Sequence, residues 1–112
     1  MNPEDTTMEG IYLTFYLQEN LRHDGRLVHE WLVDLAREME LPGCSVFRSI
    51  GGYGHHRQIH SQSFVELQGT LPVEVALALS EEDAGRLLQR IAAEGLSLFH
   101  VRTPASFGFT GS

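Results

Sequence analysis

Residues 48–60, RSIGGYGHHRQIH, gather the side chains best suited to chemistry in this chain. Gly51, Gly52 and Gly54 fall within four residues, and His55, His56, Arg57 and His60 follow. Glycine lets a backbone bend to positive φ or approach a ligand closely, because no Cβ intervenes. Successive N–H groups in such a bend form a nest that attracts anions, phosphate above all. Arginine and histidine just beyond add charge and donors at the same spot. The same glycines would also serve a plain bulge or turn at a strand end. The imidazoles are of a type that binds zinc or copper. No carboxylate or second cysteine lies close in sequence, however, and polar loops often carry solvated histidines, so no metal ligand is assigned.

Elsewhere the plainer readings win. His23 and His29 read as surface residues flanking a helix, and Trp31 falls on an apolar helix face, as a core residue would. Cys44 reads as a small buried side chain with nothing nearby to activate it. The acids Glu81, Glu82 and Asp83 suit the start of a helix. No paired acid and base stands at informative spacing, and no activated nucleophile is evident. No GxxxxGK[ST] stretch exists for a phosphate-binding loop of the Walker type. No enzymatic role is predicted.

The bulk properties agree with a small binding domain. At 112 residues the chain is long enough for one core. Its 42% hydrophobic and 21% charged residues are ordinary for a soluble globular protein. The net charge of −7 argues against nucleic acid as a partner, since phosphate backbones demand a basic surface. A single cysteine excludes an intrachain disulfide and fits a reducing compartment. The first residues lack a basic and then apolar leader, and no apolar run nears the roughly 20 residues of a membrane span. A cytoplasmic location is expected.

The elements that must position the glycine loop follow from periodicity. Residues 1–9 are polar and read as a flexible N-terminus. Ile11, Leu13, Phe15 and Leu17 alternate with Tyr12, Thr14 and Tyr16, a strand with two largely apolar faces. Over residues 26–40, Val28, Trp31, Leu32, Leu35, Ala36 and Met39 make a helical stripe, with Asp24 or Gly25 near its start. Leu41, Pro42 and Gly43 stop it. Residues 44–50 read as a second strand, and residues 59–68 as a strand or extended arm. Val73, Val75, Leu77 and Leu79 mark another strand. Ser80 caps a second helix that Gly95 ends. Residues 96–102 form the last strand, and residues 104–112 read as a flexible tail. The order predicts an α+β, ferredoxin-like βαββαβ domain over residues 10–103, with both helices on one face of an antiparallel sheet. The other face needs cover, which implies an oligomer.

Residues 42–54, PGCSVFRSIGGYG, resemble the stretch GxTVxRGIxGFG of PII-like proteins, relatives of the nitrogen-regulatory PII signalling proteins. Gly25 to Glu30 is similar to the family's hGRPLYEA, Ile59, His60 and Ser61 to its IHT, and Leu71 to Val75 to its LPVVIE. The likeness spans residues 10–103. It implies a homotrimer whose sheets line the interior. It also implies an adenine nucleotide (AMP, ADP, ATP or cyclic AMP) in clefts between subunits, and a T-loop within residues 53–71 that contacts a target protein such as a membrane transporter or an enzyme. Gly52, Tyr53 and Gly54 match the GFG that approaches the nucleotide, with His55 beside it. Ser45 matches a Thr or Ser near adenine. His100, Val101, Arg102 and Thr103 match RIRT with its first arginine replaced, so Arg102 is the better phosphate ligand.

The departures matter too. The PII loop GDGKIF, which holds the polyphosphate, has no counterpart, since Glu94 to Phe99 run almost directly from helix to strand. Fewer phosphate donors imply a weaker preference for ATP. An alternative is a divalent-metal-binding trimer resembling the CutA proteins, which share the fold, using His55, His56 and His60. A small hydrolase or cofactor-free monooxygenase on the same scaffold is the weakest reading.

Overall fold

In the computed structural model, residues 6–53, 59–61 and 71–111 are described. Strand β1 (Thr6–Gln18) is followed by two short strands, β2 (Arg22–His23) and β3 (Arg26–Leu27), and helix α1 (Val28–Glu38). Then come β4 (Ser45–Arg48), β5 (Gly51–Tyr53), β6 (Ile59–Ser61), β7 (Pro72–Leu79), helix α2 (Glu81–Ala93) and β8 (Phe99–Phe109). The main sheet has the order β4-β7-β1-β8, and every neighbouring pair is antiparallel. With β2 paired to β3, and β5 to β6, as separate two-stranded units, this is the expected ferredoxin-like α+β arrangement.

The alternation in β1 decides which face packs. Ile11, Leu13, Phe15 and Leu17 stand opposite Leu79, Leu77, Val75 and Val73, and all eight are buried. Val28, Leu32, Leu35 and Ala36 of α1 and Ala84, Leu87 and Ile91 of α2 close this layer from one side. Each large side chain so buried contributes about 1.5–3 kcal/mol relative to exposure. Trp31 packs on the rim of the same core.

The caps explain where the helices sit. Ser80 Oγ accepts from the Asp83 amide at 3.0 Å, and Glu81, Glu82 and Asp83 occupy the positive first turn of α2. Gly95, at φ +81°, ends it as predicted. The start of α1 differs from expectation. Asp24 and Gly25 do not begin the helix; they turn β2 into β3, with φ of 52° and 80°. Two consecutive positive φ values in an Asp-Gly pair are the signature of a tight hairpin whose twist matches its strands. The helix then begins at Val28, and Leu27 at its N-cap makes no side-chain capping bond.

Strands β1 and β8 also reach further than expected. β1 begins at Thr6, and β8 runs to Phe109 past Pro104, so residues 104–109 lie in the sheet. Proline is tolerated there because β8 is an edge strand. Past Ile11, where β7 ends, the pairs from Gly10 and Ala105 to Thr6 and Phe109 form a two-stranded ribbon. Among the described residues, no helix is long and apolar enough to cross a membrane.

Candidate functional site

The even-numbered positions of β1 face away from the helices, and the register carries that face across the whole sheet. Phe47, Glu74, Tyr16 and Phe99 form one cross-strand row; Ser45, Ala76, Thr14 and Val101 form the next. The Tyr16 and Phe99 rings lie 5.8 Å apart, centroid to centroid. Met8, Tyr12, Tyr16, Phe47, Phe99 and Val101 are all exposed in the single chain, Phe99 at 65% and Phe47 at 53%. A contiguous apolar face of this kind marks an interaction surface. It is the uncovered face that the strand pattern predicted.

The middle hairpin stands on a braced base. The Ser49 amide donates to the Pro72 carbonyl at 2.9 Å, and the Glu19 amide to the Leu71 carbonyl at 2.7 Å. The Arg48 guanidinium donates to the Glu19 carboxylate, which ties β4 to the end of β1. Above this base Gly51 and Gly52 are not a bend. They lie in β5, opposite Ser61 and His60, and Tyr53 pairs with Ile59. Gly54, His55 and His56 lie outside the described residues, as does most of the expected T-loop. The anion-nest reading therefore rests on positions beyond the described ladder.

The remaining predicted ligands fall on two different faces. His100 and Arg102 sit two apart on β8, opposite Phe15 and Leu13, on the helix side of the sheet. The His100 ring is half-buried against Phe15, with centroids 5.9 Å apart, and its Nδ1 is 3.5 Å from the Leu98 carbonyl. Ser45 lies on β4 at the other edge, on the opposite face, with β7 and β1 between. A neighbouring strand adds about 4.8 Å, so three steps put Ser45 and β8 roughly 14 Å apart. One chain brings His100 and Arg102 together and leaves Ser45 distant.

Arg102 stands out by its surroundings. The eight basic residues are all arginine. Arg22 donates to the Gly25 carbonyl; Arg26 and Arg37 pair with Asp34, Arg48 with Glu19, Arg86 with Asp83 and Arg90 with Glu38. Arg57 is outside the described residues. Exposed Arg102 is the one arginine for which no acceptor is found among the described residues. Sequence reasoning singled it out by resemblance but missed the Arg48–Glu19 brace, which needs residues 29 positions apart to meet. Cys44 is half-buried, and burial pushes its thiol pKa up, against any role as a nucleophile at neutral pH.

An open-faced ferredoxin-like sheet with a braced central hairpin defines the class, and comparison with known proteins defines it further. The sequence matches the family DUF190 (Uncharacterized ACR) over residues 10–97, and the chain belongs to that family. It is 33% identical over 79 residues to a UPF0166 protein of Aquifex aeolicus (strain VF5), covering 70% of this chain and 75% of that protein. Among solved structures it is similar to CPII, a nitrogen regulatory PII-like protein from Thiomonas intermedia K12 bound to ADP, AMP and bicarbonate. That match has a TM-score of 0.61 at 18% identity, and covers 93% of this chain and 98% of the other. The fold is thus that of the PII-like proteins.

Proposed function

We propose that this chain is one subunit of a PII-like regulatory homotrimer. It binds an adenine nucleotide between subunits and signals to a partner protein through the segment above β5 and β6. The observation that carries this reading is Arg102, an exposed guanidinium with no acceptor among the described residues, beside His100 in a chain of net charge −7. An uncommitted arginine is suited to phosphate. Ser45 and Arg102 lie on opposite faces and edges of one chain, an arrangement that suits a ligand held between two subunits rather than within one. The ADP and AMP bound by CPII support the ligand class. Adenine would lie near Ser45, and phosphate near Arg102, His100 and residues Gly52, Tyr53, Gly54 and His55. A nucleotide that bridges subunits and orders the loop changes the surface shown to a partner, which is regulation by population shift. The role is binding, not catalysis, and its expected place is the cytoplasm.

Isothermal titration with AMP, ADP, ATP, cyclic AMP and bicarbonate tests this reading. The expected result is saturable binding of at least one adenine nucleotide, near one per chain. Arg102→Ala should weaken it by about tenfold to a hundredfold, since a hydrogen bond to a charged group contributes roughly 1.5–3 kcal/mol. Nucleotide binding unchanged in Arg102→Ala would remove Arg102 from the site. Silence with every nucleotide would overturn the proposal.

A further inference from the structure

The β2–β3 hairpin brings His23 and Asp24 against Glu94, the C-cap residue of α2. His23 Nε2 lies 3.4 Å from Asp24 Oδ2 and 3.6 Å from Glu94 Oε1. The three ligand atoms all fall within 4.8 Å of one another. These separations are long for hydrogen bonds between imidazole and carboxylate, which close to about 2.7–2.9 Å. The two distances from the imidazole fit another geometry. Ligand atoms bound tetrahedrally at about 2.0–2.2 Å from zinc stand roughly 3.4 Å from each other. The electrostatics point the same way. Glu94 sits at the negative end of the α2 dipole, where a carboxylate is disfavoured and a cation is stabilised. Asp24 brings a second negative charge to that end. The hairpin turn places Asp24 there in a left-handed conformation, at φ 52°.

From this geometry we infer that His23, Asp24 and Glu94 form a binding site for one divalent metal ion of the zinc class. Imidazole nitrogen and two carboxylate oxygens supply three ligands and leave a fourth position to water. The ion clips the β2–β3 hairpin to the end of α2, two segments far apart in sequence. The site uses none of His55, His56 and His60, and the inference does not depend on nucleotide binding.

The test is titration of the metal-free full chain with zinc chloride, by calorimetry and by thermal unfolding. The wild type is compared with His23→Asn, Glu94→Gln and a His55→Gln/His56→Gln/His60→Gln triple variant. The expected result is one zinc per chain in the wild type and in the triple variant. Affinity should fall at least tenfold in His23→Asn and in Glu94→Gln. Zinc should also raise the melting temperature of the wild type, increasingly with concentration, because a ligand that binds only the folded chain stabilises it by mass action. That rise should vanish in His23→Asn; should this variant fail to fold, Glu94→Gln gives the reading. No zinc binding by the wild type would overturn the inference and leave His23 as a plain neighbour of the two acids. Wild-type affinity in both single variants, or equal loss in the triple variant, would overturn it as well.

Discussion

Two single residues hold positions that a small change would disturb. Gly10 pairs with Ala105 where the ribbon leaves the sheet. A Cβ there would stand 2.3 Å from the Leu79 carbonyl oxygen and 2.8 Å from Phe107 Cε1. The first neighbour is backbone and cannot swing away. Gly10→Ala should therefore destabilise the fold by about 1–3 kcal/mol, the usual range for forced overpacking, seen as a lower urea midpoint. An unchanged midpoint would mean that the chain end of β7 shifts freely. Cys44 tests the electrostatic side. Burial holds its thiol neutral above the ordinary pKa, so thiol labelling should be slow at pH 7 and quicken only in alkaline solution. The sign for stability follows: below the ordinary thiol value the unfolded chain is also protonated, and the contribution is fully present. It is lost as pH rises through the folded value. Fast labelling at pH 7 would show the thiol to be more accessible than its half-buried position implies.

At the scale of elements, α2 and the central hairpin separate stability from loop control. Removing the Ser80 cap by Ser80→Ala should cost about 1 kcal/mol of stability, measurable by denaturant unfolding. Arg48→Ala should cost less, since exposed ion pairs contribute about 0–1 kcal/mol. Its expected signature is local: faster hydrogen exchange of the β5 and β6 amides with global stability nearly unchanged. Equal protection in both proteins would remove the brace from any role in loop control. The cap was legible in sequence because Ser80 and the three acids after it form a purely local pattern. So was the core, because Ile11 to Leu17 and Val73 to Leu79 alternate without interruption. The hairpin of Asp24 and Gly25 was not, since its strands have two residues each and carry no periodicity. The end of β8 was hidden by Pro104, which reads as a breaker until its strand is known to be an edge. Among the residues put forward as ligands by resemblance, the spacing of His100 and Arg102 already placed them side by side on one strand face, but no local pattern could say that Ser45 faces the other side of the sheet.

For the molecule as a whole, the open sheet face is the surface on which copies would meet in the proposed trimer. Tyr16 and Phe99 meet on it at a tilt of 52°, between Glu74 and the β8 edge, so a charge placed there should oppose any packing of copies face to face. Light scattering should find a trimer for the wild type and a smaller species for Tyr16→Glu/Phe99→Glu, with helix content retained. A wild-type monomer would leave the face for another partner. The strand order has a further consequence, for synthesis. β1 is made early yet ends between β7 and β8, both encoded in the second half of the chain. While the ribosome adds residues 19–71, an apolar strand waits with neither main-sheet neighbour yet made. Non-local pairing of this kind is slow and exposes sticky edges during the delay. The nascent chain is therefore most prone to aggregation before β7 emerges, and a chaperone that shelters β1 until then should raise the yield of folded protein.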